Sequence, residues 1–169
     1  ALQFVGAPFD IRITKIKANS KKCAPGNFRV FNVGQGGLYV HCGYLFQEKS
    51  PFYYKVVEPM KQDGQLSYFL LLQNAEKGGE LALYDLLWDT VKRKESEMDN
   101  RFLTDDDGNR VDLETIDHVH ILPCAGDLLV FRGGPIWHRV EEIQGNKPRI
   151  TFGGFINITE NNSGLRYWG

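Results

Sequence analysis

The chain has 169 residues, 42% hydrophobic and 12% aromatic, with 20 Lys and Arg against 21 Asp and Glu and a net charge of −1. That is one domain with enough apolar residues for a sizeable core, and so even a charge balance argues against a nucleic-acid polymer or an acidic membrane surface as partner. No apolar run reaches the roughly 18 residues that cross a bilayer, and no secretory leader pattern opens the sequence. Cys23, Cys42 and Cys124 are an odd, sparse set that forms neither a disulfide framework nor a Cys-x-x-Cys zinc site, so a reducing cytoplasm is the expected compartment. Ala1 is not a start methionine. Residues 1–169 are therefore expected to form a single core domain, with a possible further portion upstream. The oligomeric state is left open.

Taken in chain order, the pattern is mostly short strands with turn signals between them. Residues Phe9 to Ile16 alternate apolar and polar, as a half-buried strand does. Lys21 to Gly26 reads as a loop. Asn27 to Val33 and Gly37 to His41 read as strands joined by the Gly34-Gln35-Gly36-Gly37 turn. Leu66 to Leu72 is a buried strand, which the Lys77-Gly78-Gly79-Glu80 turn leads into Leu81 to Tyr84. Val91 to Arg101 is charged and lacks alternation, which suits a short surface helix. Asp105 to Asn109 is a tight turn. His118 to Leu122, Asp127 to Phe131, His138 to Ile143 and Arg149 to Ile158 complete the strands, with Gly145-Asn146 as the turn between the last two. Many short strands, Gly-rich turns and few short helices predict a mainly β fold: a jelly-roll, cupin-like barrel of the double-stranded β-helix type.

Two histidines stand at strand edges: His41 in Val40-His41-Cys42-Gly43, and His138 after the Gly133-Gly134-Pro135 turn. A lone strand histidine is usually structural, but the joint pattern points to a bound metal. Non-haem iron oxygenases hold ferrous iron with His-x-Asp/Glu and a distant His, leaving positions open for cosubstrate and oxygen. Here Gly43 stands where the carboxylate belongs, and glycine has no ligand to offer. Arg149 follows the second histidine. A guanidinium in a dry pocket grips a carboxylate bidentately, and Thr151, two residues on, shares its strand face. The plainer alternative is a surface ion pair, and Arg132 and Arg139 are rivals for the role. His118 and His120 share a strand face and, with His41 or His138, offer a three-His cupin site, although such residues are more often surface or packing groups. Cys42 is expected to pack away from the metal. Phe31, Tyr44, Phe46, Phe52, Tyr53 and Trp137 are candidate pocket walls, or else part of the barrel core. Lys15, Lys17, Lys21 and Lys22 either meet a phosphate on a nucleotide-like substrate or form a solvated face.

The segments Val40-His41-Cys42-Gly43, Gln65-Leu66-Ser67-Tyr68-Phe69, Gly78-Gly79-Glu80-Leu81, Gly126 to Phe131, His138-Arg139-Val140, and Pro148-Arg149 to Phe155 carry a resemblance. The chain resembles the carrier-independent iron/2-oxoglutarate halogenases of the hapalindole-type (welwitindolinone and ambiguine) alkaloid pathways. The likeness runs from about Phe9 to the end and is patchy between Trp88 and His118. Family members carry a further N-terminal helical portion that contributes to the substrate pocket. The resemblance implies that His41 and His138 are iron ligands, that Gly43 marks the open halide site, and that Arg149 binds 2-oxoglutarate. Ser67 would help orient the reacting oxygen, its alternative being a buried strand serine bonded to backbone. The implied cofactors are Fe(II), 2-oxoglutarate, chloride or bromide, and O2. The implied reaction chlorinates an unactivated aliphatic carbon of a free-standing alkaloid- or nucleotide-like small molecule, with decarboxylation of 2-oxoglutarate to succinate. The rival readings are a hydroxylase of the same fold, with Asp85 or Glu48 completing the ligand set, and a three-His cupin. A third, a purely binding β-sandwich, would leave His41 and His138 apart.

Overall fold

The computed structural model describes residues 12–18, 21–34, 37–51, 60, 64–92, 102–162 and 164–169. The first elements are β1 (Arg12–Lys15), β2 (Lys17–Ala18), β3 (Lys21–Lys22), β4 (Asn27–Phe31), helix α1 (Gly43–Lys49), β5 (Leu66–Gln73), β6 (Lys77–Gly78) and β7 (Leu81–Leu87). They are followed by β8 (Val91–Lys92), β9 (Phe102–Asp105), β10 (Arg110–Asp112), a 3-10 turn (Leu113–Thr115), β11 (His118–Ile121) and β12 (Leu128–Phe131). Last come β13 (Ile136–Val140), β14 (Ile143–Gln144), β15 (Arg149–Ile158) and β16 (Gly164–Trp168).

The ten-residue strand β15 is the spine of a six-stranded sheet ordered β1-β16-β15-β5-β12. Along one edge it pairs first with β4 and then with β16; along the other it pairs with β5. Its centre is Gly153-Gly154. A side chain on Gly153 would run into the Tyr68 carbonyl and one on Gly154 into that of Trp168, so only glycine lets the neighbouring backbones approach this closely. A smaller sheet, β11-β7-β13, faces the six-stranded one, and the two form the jelly roll. Strand alternation decides what lies between them. Ser67 and Phe69 of β5 turn inward opposite Phe155 and Gly153 of β15. Arg29 and Phe31 of β4 turn inward, while Phe28 and Val30 are exposed on the far side. From the smaller sheet, Leu81, His138 and Val140 face the same space.

The other face of the smaller sheet is covered by a third layer. Ala82, Tyr84 and Trp137 pack there with Val40, Cys42 and Leu45 around α1 and with Val91, Leu103 and Leu113 from the β8–β10 region. Most of β7 and β13 is thus buried on both sides, while β11 is largely exposed, and adjacent residues of β13 serve different layers.

Several boundaries differ from the sequence reading. Gly37 to His41 is not a strand: pairing is reduced to a bridge between His41 and His138, because the chain turns at Cys42 into α1. That helix, GYLFQEK, was not predicted; at seven residues it is too short to reveal a 3.6-residue period. His138 lies within β13 rather than at its start, and the expected strand to Ile143 breaks after Val140. β16 was also not anticipated. Val91 and Lys92, expected to open a helix, form β8, and the rest of that segment lies outside the described residues, as do Phe9 to Ile11.

Trp137 is fully buried, its ring 5.7 Å from that of Trp88. Trp137→Ala is expected to lower the unfolding free energy by about 3–5 kcal/mol, read from the urea midpoint. A near-normal midpoint would mean that the indole belongs to a ligand pocket instead.

Candidate active site

His41 and His138 are joined by two reciprocal backbone hydrogen bonds, each amide donating to the other's carbonyl at 2.9 Å. This brings their ring centroids to 4.3 Å, tilted by 55°. Each ring is oriented in the same way: Nδ1–H of His41 donates to the Tyr39 carbonyl at 2.7 Å, and Nδ1–H of His138 to the Ile136 carbonyl at 2.8 Å. With the proton held at Nδ1, each ring carries its lone pair at Nε2, the form in which imidazole ligates a metal. Both residues are only 5% exposed. Burial, with a smaller contribution from the charge of Arg29, holds the pKa of His138 down at about 4, so its ring is neutral at physiological pH. Phe131 meets the His138 ring edge-on at 4.9 Å, and Phe46 stands 5.5 Å from His41.

The two imidazoles open into a cavity of roughly 580 Å³, counting its mouth, between the two sheets. Gly43, Ser67, Arg149 and Thr151 line it, with Arg29 and an apolar wall that includes Phe31, Phe69, Leu81 and Phe131. Among the described residues no Asp or Glu lines it. Asp85 and Glu48 are exposed and lie outside the lining, so neither completes a carboxylate ligand set here. Gly43 is the first residue of α1, and its amide donates to the Gly133 carbonyl at 2.7 Å. A Cβ there would collide with Gln65 Nε2 and lie 2.9 Å from its Cδ. The space a carboxylate side chain would need is filled. Ser67 approaches the backbone so closely that a Cβ on Gly133 would strike its Oγ.

Arg149 opens β15 and is 3% exposed. Its guanidinium carbon stands 4.9 Å from the Phe69 ring centroid and 5.6 Å from that of Phe31. Burial, and then the charge of Arg29, lowers its pKa to about 10. Its Nη2 has no hydrogen-bond partner among the described residues. A guanidinium so desolvated and lacking a carboxylate is costly unless an anion comes to meet it. Thr151 sits on the same face as expected and is paired in register with Arg29. The rival arginines point elsewhere: Arg139 bonds Glu141 at 2.9 Å on the outer face, and Arg132 is exposed.

Of the proposed pocket aromatics, Phe31 lines the cavity. Phe46 packs against His41 without lining it. Tyr44 and Trp137 go instead to the core behind the smaller sheet, because α1 and the alternation of β13 turn them away. Phe52 and Tyr53 lie outside the described residues. Cys42 is buried in that same core, away from the cavity. His118 and His120 are exposed, 5.0 Å apart, with His120 3.2 Å from Glu141. His120 is in register with Ala82, on the face opposite His138, so they are no part of this site. The sequence reading missed Arg29, although its alternation with Phe31 on β4 is a visible signal. It also gave Gln65 no role, because nothing local marks a residue that lies just ahead of a strand.

The chain spans about 62% of the length of the solved structures it resembles. These are an N-substituted L-amino acid dioxygenase from Burkholderia ambifaria AMMD (TM-score 0.61, 18% identity, 99% of this chain covered) and the same enzyme in complex with alpha-KG (TM-score 0.59, 18% identity, 99% covered). At that identity the likeness speaks for the jelly-roll fold. No curated protein matches the chain. A family model does, over residues 2–169, nearly the whole sequence and including the two histidines, Gly43 and Arg149. The chain belongs to the carrier-protein-independent halogenase family WelO5.

Proposed function

We propose that the cavity is the active site of an Fe(II)- and 2-oxoglutarate-dependent halogenase that chlorinates an unactivated aliphatic carbon of a free-standing small molecule. The observation that carries this reading is the pair of close imidazoles beside Gly43, with two arginines and no Asp or Glu among the described lining residues. Nε2 of His41 and of His138 would hold the iron. Arg149, with the Thr151 hydroxyl beside it, would take the distal carboxylate of 2-oxoglutarate as a bidentate partner. Gly43 leaves the third protein position to chloride or bromide. When bound, iron with 2-oxoglutarate and O2 supplies the oxidising power for C–H cleavage.

The charges support the assignment. Buried Arg149 places fixed positive charge near the metal position, and no Asp or Glu stands among the described lining residues. A dianionic cosubstrate and a halide answer that deficit. The apolar wall keeps water out and strengthens each of these contacts. Ser67, close to Gly133 in the cavity lining, would offer a hydroxyl there to help orient the reacting oxygen. The family's independence of a carrier protein supports a free-standing substrate, alkaloid- or nucleotide-like in class. None of the described helices is long and apolar enough to cross a membrane.

The test is anaerobic titration with Fe(II) and 2-oxoglutarate, with and without chloride, following the visible charge-transfer band of the chelate. A band that moves with chloride is expected. A band indifferent to chloride would make the protein a hydroxylase, and no band would remove 2-oxoglutarate from the site. Arg149→Ala is expected to weaken 2-oxoglutarate binding by about 2–5 kcal/mol, roughly 30- to 5,000-fold. Arg149→Lys should recover only part of this, because the ammonium keeps the charge but not the fork. Gly43→Asp is expected to abolish the chloride response, and to lower the melting temperature because Gln65 must move aside.

A further inference from the structure

Gln65 immediately precedes β5 and is 0% exposed. Its Oε1 accepts a hydrogen bond from Gln47 Nε2 at 2.6 Å. Gln47 lies on α1, one turn after Gly43. In this arrangement the carboxamide oxygen faces Gln47 and the NH2 faces Gly43. Nε2 occupies the place where a Cβ on Gly43 would begin, and it has no hydrogen-bond partner among the described residues. A buried donor without a partner is costly, and this one stands beside Gly43, which lines the cavity. The ligand that suits it is an acceptor. It must also be small, since Gly134 Cα would lie 3.1 Å from the same Cβ. It should be anionic too, since the neighbouring cavity holds the buried Arg149 guanidinium and, among the described residues, no Asp or Glu.

We propose that Gln65 is a halide-binding residue whose Nε2–H donates to the anion beside Gly43, and that Gln47 positions it by fixing which end of the carboxamide faces the site. The proposal rests on the reading that a halide takes the position left open by Gly43. It adds a second role for the same side chain. Gln65 excludes a carboxylate from this place by occupying its room, and it supplies a donor to the anion that replaces it. Halides accept N–H donors without strong directional demands, so a single carboxamide contributes both affinity and placement. Placement matters because the halide must lie where the substrate carbon can reach it.

Chloride affinity, read from the chloride-dependent band of the anaerobic Fe(II)·2-oxoglutarate complex, tests this in Gln65→Met, Gln65→Glu and Gln47→Met. Gln65→Met keeps the volume and removes the donor; about 10- to 100-fold weaker chloride binding is expected, with 2-oxoglutarate affinity unchanged. Gln65→Glu turns a carboxylate toward the site and should weaken chloride further. Gln47→Met leaves Gln65 intact but releases its orientation, so a smaller loss is expected. It also decides the matter if the Gln65 variants do not fold, which the melting temperatures of the metal-free proteins will report. Wild-type chloride dependence with unchanged affinity in Gln65→Met, or in Gln47→Met should that variant alone fold, would overturn the role of Gln65 and leave the halide site standing. A wild-type band that ignores chloride would overturn the halide site itself, and this proposal with it.

Discussion

The paired backbone hydrogen bonds between His41 and His138 are the constraint on which the site depends. They tie a segment that has left the sheet to a strand inside it, across nearly a hundred residues of sequence. Each histidine then uses its own Nδ1 to bond a carbonyl two residues back, so ring direction follows from backbone position. Ring orientation, tautomer and mutual distance are therefore decided by main-chain geometry before any ligand arrives. α1 begins two residues beyond this bridge, and its first amides are fixed by the carbonyls of Gly133 and Gly134, so the position of Gly43 follows from the same junction.

Electrostatics completes the arrangement. An ordinary two-His-one-carboxylate site carries one protein charge that offsets the metal. Here the described lining offers no Asp or Glu, and it holds the buried guanidinium of Arg149. Burial penalises charge on both His138 and Arg149, and the proximity of Arg29 adds to each effect. A buried guanidinium with no Asp or Glu in the described lining favours an anionic ligand. The planar fork of Arg149 suits a carboxylate, and the surroundings of Gly43 are crowded by Gln65 and Gly134.

Much of this was legible in the sequence because it rests on short patterns. The two histidines, the missing carboxylate at Gly43 and the long strand from Arg149 each announce themselves within a few residues. Alternation placed Thr151 on the face of Arg149, as found. What escaped depends on contacts distant in sequence. Helix α1 is held by the 133–134 loop rather than by its own periodicity. Trp137 and Tyr44 read as pocket walls because aromatic character does not say which side of a strand or helix is inside. Gln65 acquires meaning only through Gln47 and Gly43, neither of which is near it in sequence. The pair His118 and His120 attracted notice by composition, and register alone dismisses it.

The division of labour along β13 has a consequence for how the protein reaches its native state. Trp137 belongs to the outer core and His138 to the cavity, and the pairing with β7 already shifts register between Ile136 and His138. A slip of one residue against β7 would drive imidazole into the core and indole into the cavity. Such an error cannot be partial: it displaces a cavity histidine and a packing anchor together.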